Sequence, residues 1–311
     1  MYRIDYGVPQ DKTGLQLRLG VDKGFFRDEG IDLSIRVIFG GPEIAAAYDS
    51  GELKFGEFGT PPATTALSRG ARFRIIGSGV RRRALQSLVA RPEIRDWADL
   101  RAKTAATLST GSCSHWFMRL VLQDHELDPD RDLTMVGLGT RYPQVLELFE
   151  RNEIQAAVIS EPSIAIGESR GLLHVMEALT DEKYCPGMQW SVVVANNLTI
   201  ETEPELLRAG LRASRRSYHY CVRHPDEWTD YAASYCGTDR VTMARALAAD
   251  AHGLHFDCEP DLAGLQQAID LQRRLGAIKA PMRAEDIVDL RFLPETAAVA
   301  NGHDRPRQAH L

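Results

Sequence analysis

The sequence predicts an α/β fold of two doubly wound lobes joined by a two-strand hinge, and three observations carry that reading. Strand-like and helix-like segments alternate from residue 2 to residue 160. An apolar run, WSVVVAN (190–196), then reads as a strand that returns the chain to its first lobe. Beyond about residue 202 the apolar residues fall at three- and four-residue spacing, the mark of consecutive amphipathic helices. Two crossings between lobes are therefore expected, near 84–88 and near 185–190. They divide the chain into lobe 1 (1–86 and 188–296), an inserted lobe 2 (87–187) and a flexible polar tail (297–311).

The elements justify this in order. Residues 2–8 read as a strand stopped at Gly7 and Pro9, and 13–30 as a helix punctuated by Gly24 and Gly30. DLSIRVIF (32–39) alternates as a strand should and ends at Gly40-Gly41-Pro42, ahead of a short helix over 43–51. A strand at 55–58 leads into Gly59-Thr60-Pro61-Pro62. Thr60 suits the cap of the next helix (61–70), and Pro61 its first helical position. FRIIGS (73–78) completes a β-α-β-α-β-α-β order, which implies a mostly parallel sheet with helices on both faces. In the second lobe QSLVA (86–90), KTAATL (103–108), LTMVGL (133–138) and IQAAVIS (154–160) read as strands. Helices over 113–124 and 142–151 lie between them, and the last strand ends at Glu161-Pro162.

Composition narrows the function classes. The 311 residues are 44% hydrophobic and 26% charged, enough for two domains of ordinary size, and carry a formal net charge of −6. That balance argues against a nucleic-acid partner, which needs clustered Lys and Arg. Arg81-Arg82-Arg83 is the only compact basic run. No stretch is long enough to span a membrane. MYRIDYGVPQ enters a strand at once, with no leader. The protein is then expected to be cytoplasmic if Met1 is the natural start, and periplasmic if the chain is a trimmed precursor. Five cysteines (Cys113, Cys185, Cys221, Cys236, Cys258) without CxxC spacing give no disulfide framework.

Several stretches in the expected order resemble the substrate-binding proteins for aliphatic sulfonates, taurine, nitrate and thiamine-pyrimidine precursors. They are GVDKGFFRDEGIDLSI (20–35), GELKFGEFGTPPATTALSRGARFRIIGS (51–78), DLRAKTAATLSTGSCSHWFMRLVLQDHELDPDRDLTMVGL (99–138), ERNEIQAAVISEP (150–162) and LQQAIDLQRRLGAIKAPMRAEDIVDLRFL (265–293). The resemblance implies the type II periplasmic-binding-protein fold, and a clamshell that closes on a small organic anion (a sulfonate, carboxylate or heterocycle) and hands it to an ABC permease. A monomer without a cofactor is expected. The family also holds cytoplasmic enzymes, so the alternative is a decarboxylase or other lyase acting on an aromatic or heterocyclic acid. The desulfinase-like members carry a nucleophilic Cys in the first strand-to-helix loop, which here reads Tyr6-Gly7-Val8-Pro9. Their His precedes a Tyr-Asp pair, where Glu43-Ile44-Ala45-Ala46-Ala47-Tyr48-Asp49 stands here. The cysteine-rich motif of the pyrimidine synthases is missing too, and these two enzyme readings are disfavoured. A cytoplasmic sensor is a third reading.

The site candidates sit at strand ends, where doubly wound folds bind ligands. The helix starts at Thr60-Pro61 and Thr110-Gly111-Ser112 offer backbone donors and about half a positive charge each for an acid group, or they are simple caps. Gly40, Gly41, Gly59, Gly7 and Pro9 let backbone approach a ligand, or serve turns. Arg141 is the candidate for a bidentate anion contact, with Arg81 and Tyr6 behind it. Trp190 is set to stack on a ligand or to pack in the hinge, and Glu161 to meet a ligand amine or hydroxyl or to latch the lobes. Cys113 and His115 are the candidate nucleophile and base of the enzyme reading, with Glu161 as a further acid–base group. Positions two apart on a helix, however, do not face one another. His252, His255 and Cys258 have a metal-like spacing with no fourth ligand, so no metal site is assigned. Tyr218, Tyr220, Trp228 and Tyr231 read as helix packing and helix surface.

Overall fold

A computed structural model describes residues 1–10, 12–79, 86–179, 183–184, 187–251 and 258–294. The chain opens with β1 (Tyr2–Val8), α1 (Leu15–Asp22), α2 (Phe25–Asp28), β2 (Ile31–Val37), α3 (Gly41–Ser50), β3 (Phe55–Gly59), α4 (Thr60–Leu67) and β4 (Phe73–Ser78). It continues with β5 (Gln86–Ala90), β6 (Thr104–Thr107), α5 (Cys113–Asp124), β7 (Thr134–Gly137), α6 (Val145–Glu150), β8 (Ala156–Ser160), α7 (Ser163–Ser169) and β9 (His174–Ala178). After β10 (Ser191–Asn196) it is helical: α8 (Asn197–Thr202), α9 (Pro204–Arg223), α10 (Pro225–Cys236), α11 (Arg240–Asp250) and α12 (Leu262–Arg274).

Two five-stranded sheets result, ordered β2-β1-β3-β10-β4 and β7-β6-β8-β5-β9. Within each, four strands run in one direction and the strand entered after a crossing runs antiparallel to them. β10 lies between β3 and β4, and β5 between β8 and β9. The sequence reading finds every strand but β9, and it misses the antiparallel direction of β5 and β10. β9 is an edge strand whose residues are half-buried or exposed, so its apolar pattern is weak. The expected helix over 13–30 is broken in two, because Gly24 adopts φ 81° and stops α1.

Each sheet is covered on both faces. Ile4, Tyr6, Phe26 and Phe55 pack with Leu206 and Leu211 of α9 on one side of the first sheet, while Ile44, Tyr48, Phe58 and Val192 pack with Leu265 and Ile269 of α12 on the other. The second sheet is covered by Phe117 and Val121 of α5 on one face and by Val145 and Phe149 on the other. α12 serves both units. Its Leu265 and Ile269 pack on the first sheet, and its Ala268 and Leu271 join Met188 and Leu88 in the core of the second. Its Gly264 sits against the returning strand so closely that a Cβ there would lie 2.8 Å from the Gln189 nitrogen.

Gly7 and Gly56 give the clearest packing test. The Tyr48 hydroxyl donates to Gly7 O at 3.0 Å, inside the gap that the two glycines leave. A Cβ on Gly56 would run into that hydroxyl and lie 2.6 Å from the Gly7 backbone nitrogen. Backbone in a paired strand cannot yield, so Gly56→Ala is expected to destabilise the protein by about 3 kcal/mol, read from its urea midpoint. Gly7 therefore serves Tyr48, not a ligand.

Candidate functional site

The C-terminal ends of the parallel strands face each other across a cavity of about 180 Å³. Pro9, Lys12, Glu57 and Gly59 line it from the first unit; Gln86, Cys113 and Glu161 from the second; Trp190 and Ser191 from the returning strand; Tyr218, Trp228 and Asp250 from the helices. The two units touch around it. Gly59 abuts the Cys113 thiol so closely that no Cβ fits between them, and Gly111 comes within 3.3 Å of Pro42 for an added Cβ. Ser109 Oγ donates to Glu43 at 3.4 Å and Lys12 Nζ to Ser163 Oγ at 3.1 Å. Arg245 of α11 donates to the Ala165 carbonyl at 2.8 Å and pairs with Glu168 at 3.3 Å. These contacts join the two units around the cavity.

Among the described residues the cavity's charge is mainly negative. Glu57 is 4% exposed and accepts from Ser191 Oγ at 2.6 Å and from the Tyr218 hydroxyl at 3.2 Å. Burial raises its pKa, against the opposing pull of these two hydrogen bonds. Glu161 accepts from the Ala165 N–H at 2.9 Å, and burial again pushes its carboxyl up. The Glu161–Pro162 bond is cis. Asp250 is raised to about 7, by burial first and by the nearby charge of Glu161 second. Lys12 is the one cation on the described wall.

Seven of the sequence candidates line the cavity: Pro9, Gly41, Gly59, Ser112, Cys113, Glu161 and Trp190. The others do not, each for a physical reason. Thr60 does not cap its helix. Gly59 occupies that position, and the Thr60 hydroxyl is buried with no partner among the described residues. The start of α4 has little left to offer an anion. The Thr60 N–H donates to the Trp190 carbonyl at 2.9 Å, and Pro61 and Pro62 have no N–H. Ser112 does cap α5, but its hydroxyl donates to Ser109 O at 2.6 Å and accepts from the His115 N–H at 3.4 Å, so it is engaged internally. Thr110 points to solvent, and Gly111 takes φ 82° against Pro42. Gly40 takes φ 107° in the β2–α3 turn, against Ser109. Arg141 lies off the cavity and pairs with Glu153 at 2.7 Å, both on the surface.

Cys113 lines the cavity and His115 does not, as their spacing on one helix requires. The His115 ring instead packs edge-on against Trp116 and has its pKa lowered by burial and then by Arg119. Cys258 is buried in the first sheet's core; His252, His255, Cys185, Arg81 and the tail lie outside the described residues. Tyr218 and Trp228 are buried in helix packing, as expected, and also line the cavity. Sequence reasoning missed Lys12, Glu57, Gln86 and Asp250. Glu57 alone left a signal, as the one charged residue within FGEFG. No helix among the described residues is long and apolar enough to cross a membrane.

Comparison with known proteins agrees with this architecture. The alkanesulfonate-binding protein SsuA from Xanthomonas axonopodis pv. citri, solved bound to MOPS, superposes with a TM-score of 0.76 at 17% identity, over 93% of this chain and 98% of that one. The taurine-binding periplasmic protein of Escherichia coli (strain K12) is 23% identical over 212 residues, 67% of this chain and 63% of that protein. YtlA of Bacillus subtilis (strain 168), assigned as a binding protein, is 22% identical over 169 residues, 53% of this chain. This chain thus spans about half of the YtlA sequence and less than two thirds of the taurine-binding one. The family model described as NMT1/THI5 like matches residues 15–228, more than half of the sequence, and the chain belongs to that family.

Proposed function

We propose that this protein is the solute-binding component of an ABC importer, and that its cleft closes on a small organic ligand bearing an acid group or an acidic heterocycle. The observation that carries the reading is a cavity lined by residues of both sheets, with contacts between the two units around it. The lobes are proposed as 1–86 with 188–296 and 87–187, moving about the two crossings; β5 begins at Gln86, one residue before that boundary. α5 turns its positive end toward the cavity at Ser112–Ser114 and Lys12 adds an ammonium, which supports the acid group. The likeness to binding proteins for alkanesulfonates and taurine supports the ligand class and a permease partner. Since the taurine-binding relative is periplasmic, the periplasm is the proposed compartment; the cytoplasmic expectation finds no support among the relatives. A monomer is proposed because the closed cleft is complete within one chain.

The enzyme reading loses His115, which is off the cavity, and keeps Cys113 and Glu161 as its candidate groups. A thermal-shift screen of sulfonates, carboxylates and heterocyclic acids tests the choice. A bound compound at a hundred times its Kd is expected to stabilise the fold by about 2.7 kcal/mol and to be recovered unchanged. Conversion of the compound, abolished by Cys113→Ala, would overturn the binding reading in favour of the enzyme.

A further inference from the structure

We infer that the ligand also carries a cationic nitrogen, an ammonium or amidinium group, which this cavity holds between Glu161 and Asp250. The inference rests on the binding reading and narrows its ligand class.

Glu161 ends the strand-to-helix turn of the second unit, and Asp250 ends α11 of the first, so closure is what brings the two carboxylates onto one wall. Neither is in an ion pair among the described residues. Glu161 spends one oxygen on the Ala165 N–H. The charges around them compensate only in part. Glu168 adds another negative charge beside Glu161, while Arg245 attracts Glu161 but forms its ion pair with Glu168 and donates to a carbonyl. Lys12 directs its ammonium to the Ser163 hydroxyl.

A second observation on the same cavity is independent of the acids. Gln86 is 8% exposed, and its Oε1 is fully buried with no hydrogen-bond partner among the described residues. A buried acceptor left unmade costs about 1–3 kcal/mol, so a ligand that supplies an N–H is favoured there. The aromatic faces of Trp190, Trp228 and Tyr218 complete a wall that suits a desolvated cation. A ligand whose nitrogen end is neutral would leave two like charges facing each other in a closed cleft, and closing would then be opposed rather than driven.

The test uses three probes of one frame, benzamidine, benzamide and benzoate, together with small alkylamines, their amide isosteres and the matching acids. Affinities are measured by calorimetry at pH 8 on the full chain. The cations are expected to bind at least about 10-fold more tightly than the neutral and acidic partners of each set. Asp250→Asn and Glu161→Gln are each expected to weaken the cations about 10-fold, and to leave the neutral isosteres within about 3-fold. At pH 7 cation binding is expected to release protons, visible as a buffer-dependent heat. Acids without nitrogen as the best binders, or cation binding that both substitutions leave unchanged, would overturn the inference while the binding reading stood. If no probe of any charge bound, the binding reading itself would fail with it.

Discussion

Replacing Gly59 by alanine is expected to hold the cleft open and to weaken ligand binding by about 100-fold or more, and removing the Cys113 thiol in the same chain is expected to restore most of that loss. Gly59 ends β3 in one unit and Cys113 begins α5 in the other. A Cβ on Gly59 would run into the Cys113 sulfur, and its next neighbour, Pro62 Cδ, lies at 3.7 Å. Neither backbone can retreat without moving its sheet, so the clash is relieved by opening the hinge. A binding-competent state made a hundred times rarer lowers apparent affinity by the same factor. Each unit keeps its own core, so Gly59→Ala is expected to fold with a urea midpoint close to the parent's. The paired substitution Gly59→Ala, Cys113→Ala removes the obstructing atom. Recovery of binding in that double variant separates a steric block on closure from local damage to β3. A single variant that bound as tightly as the parent would show that the two units do not meet in the bound state.

The second large effect is a pH dependence set by Asp250. Its carboxyl is raised to about 7, by burial and then by Glu161, against an unfolded value of about 4. Between those values the folded protein holds a proton that the unfolded chain has lost. Stability in the absence of ligand therefore falls as pH rises from about 4 to about 7, and the penalty is complete above that range. Three units correspond to about 4 kcal/mol at most, and Asp250→Asn is expected to recover roughly 1–3 kcal/mol of it at pH 8 and little at pH 4. Thermal unfolding at the two pH values reads the difference directly. An equal effect of the substitution at both would contradict a raised Asp250 carboxyl.

The parallel strands and the helices after them were legible in the sequence because they bury whole faces, which leaves a strong periodic pattern. β9 was not, since an edge strand buries too little, and the antiparallel placement of β10 and β5 has no local signature. The candidate site divides in the same way. Strand-end residues such as Gly59, Ser112 and Glu161 were legible, because topology alone puts them at the cleft. Asp250 was not, since it reaches the cavity only through the docking of α11 on α7, a contact between segments about 80 residues apart. The weakness of α4 as an anion site was there to be read. Pro61-Pro62 removes two of the N–H groups that such a site needs, and only the third loss, of the Thr60 N–H to Trp190, required the structure.

The most direct measurement is a crystal structure of the protein with a compound that stabilises it in the thermal screen. The account predicts that compound enclosed between the two sheets, touching Trp190 and Glu161, with Gly59 still against Cys113. Density for it on an outer face of either unit, or in a cleft whose walls had stayed apart, would contradict the account.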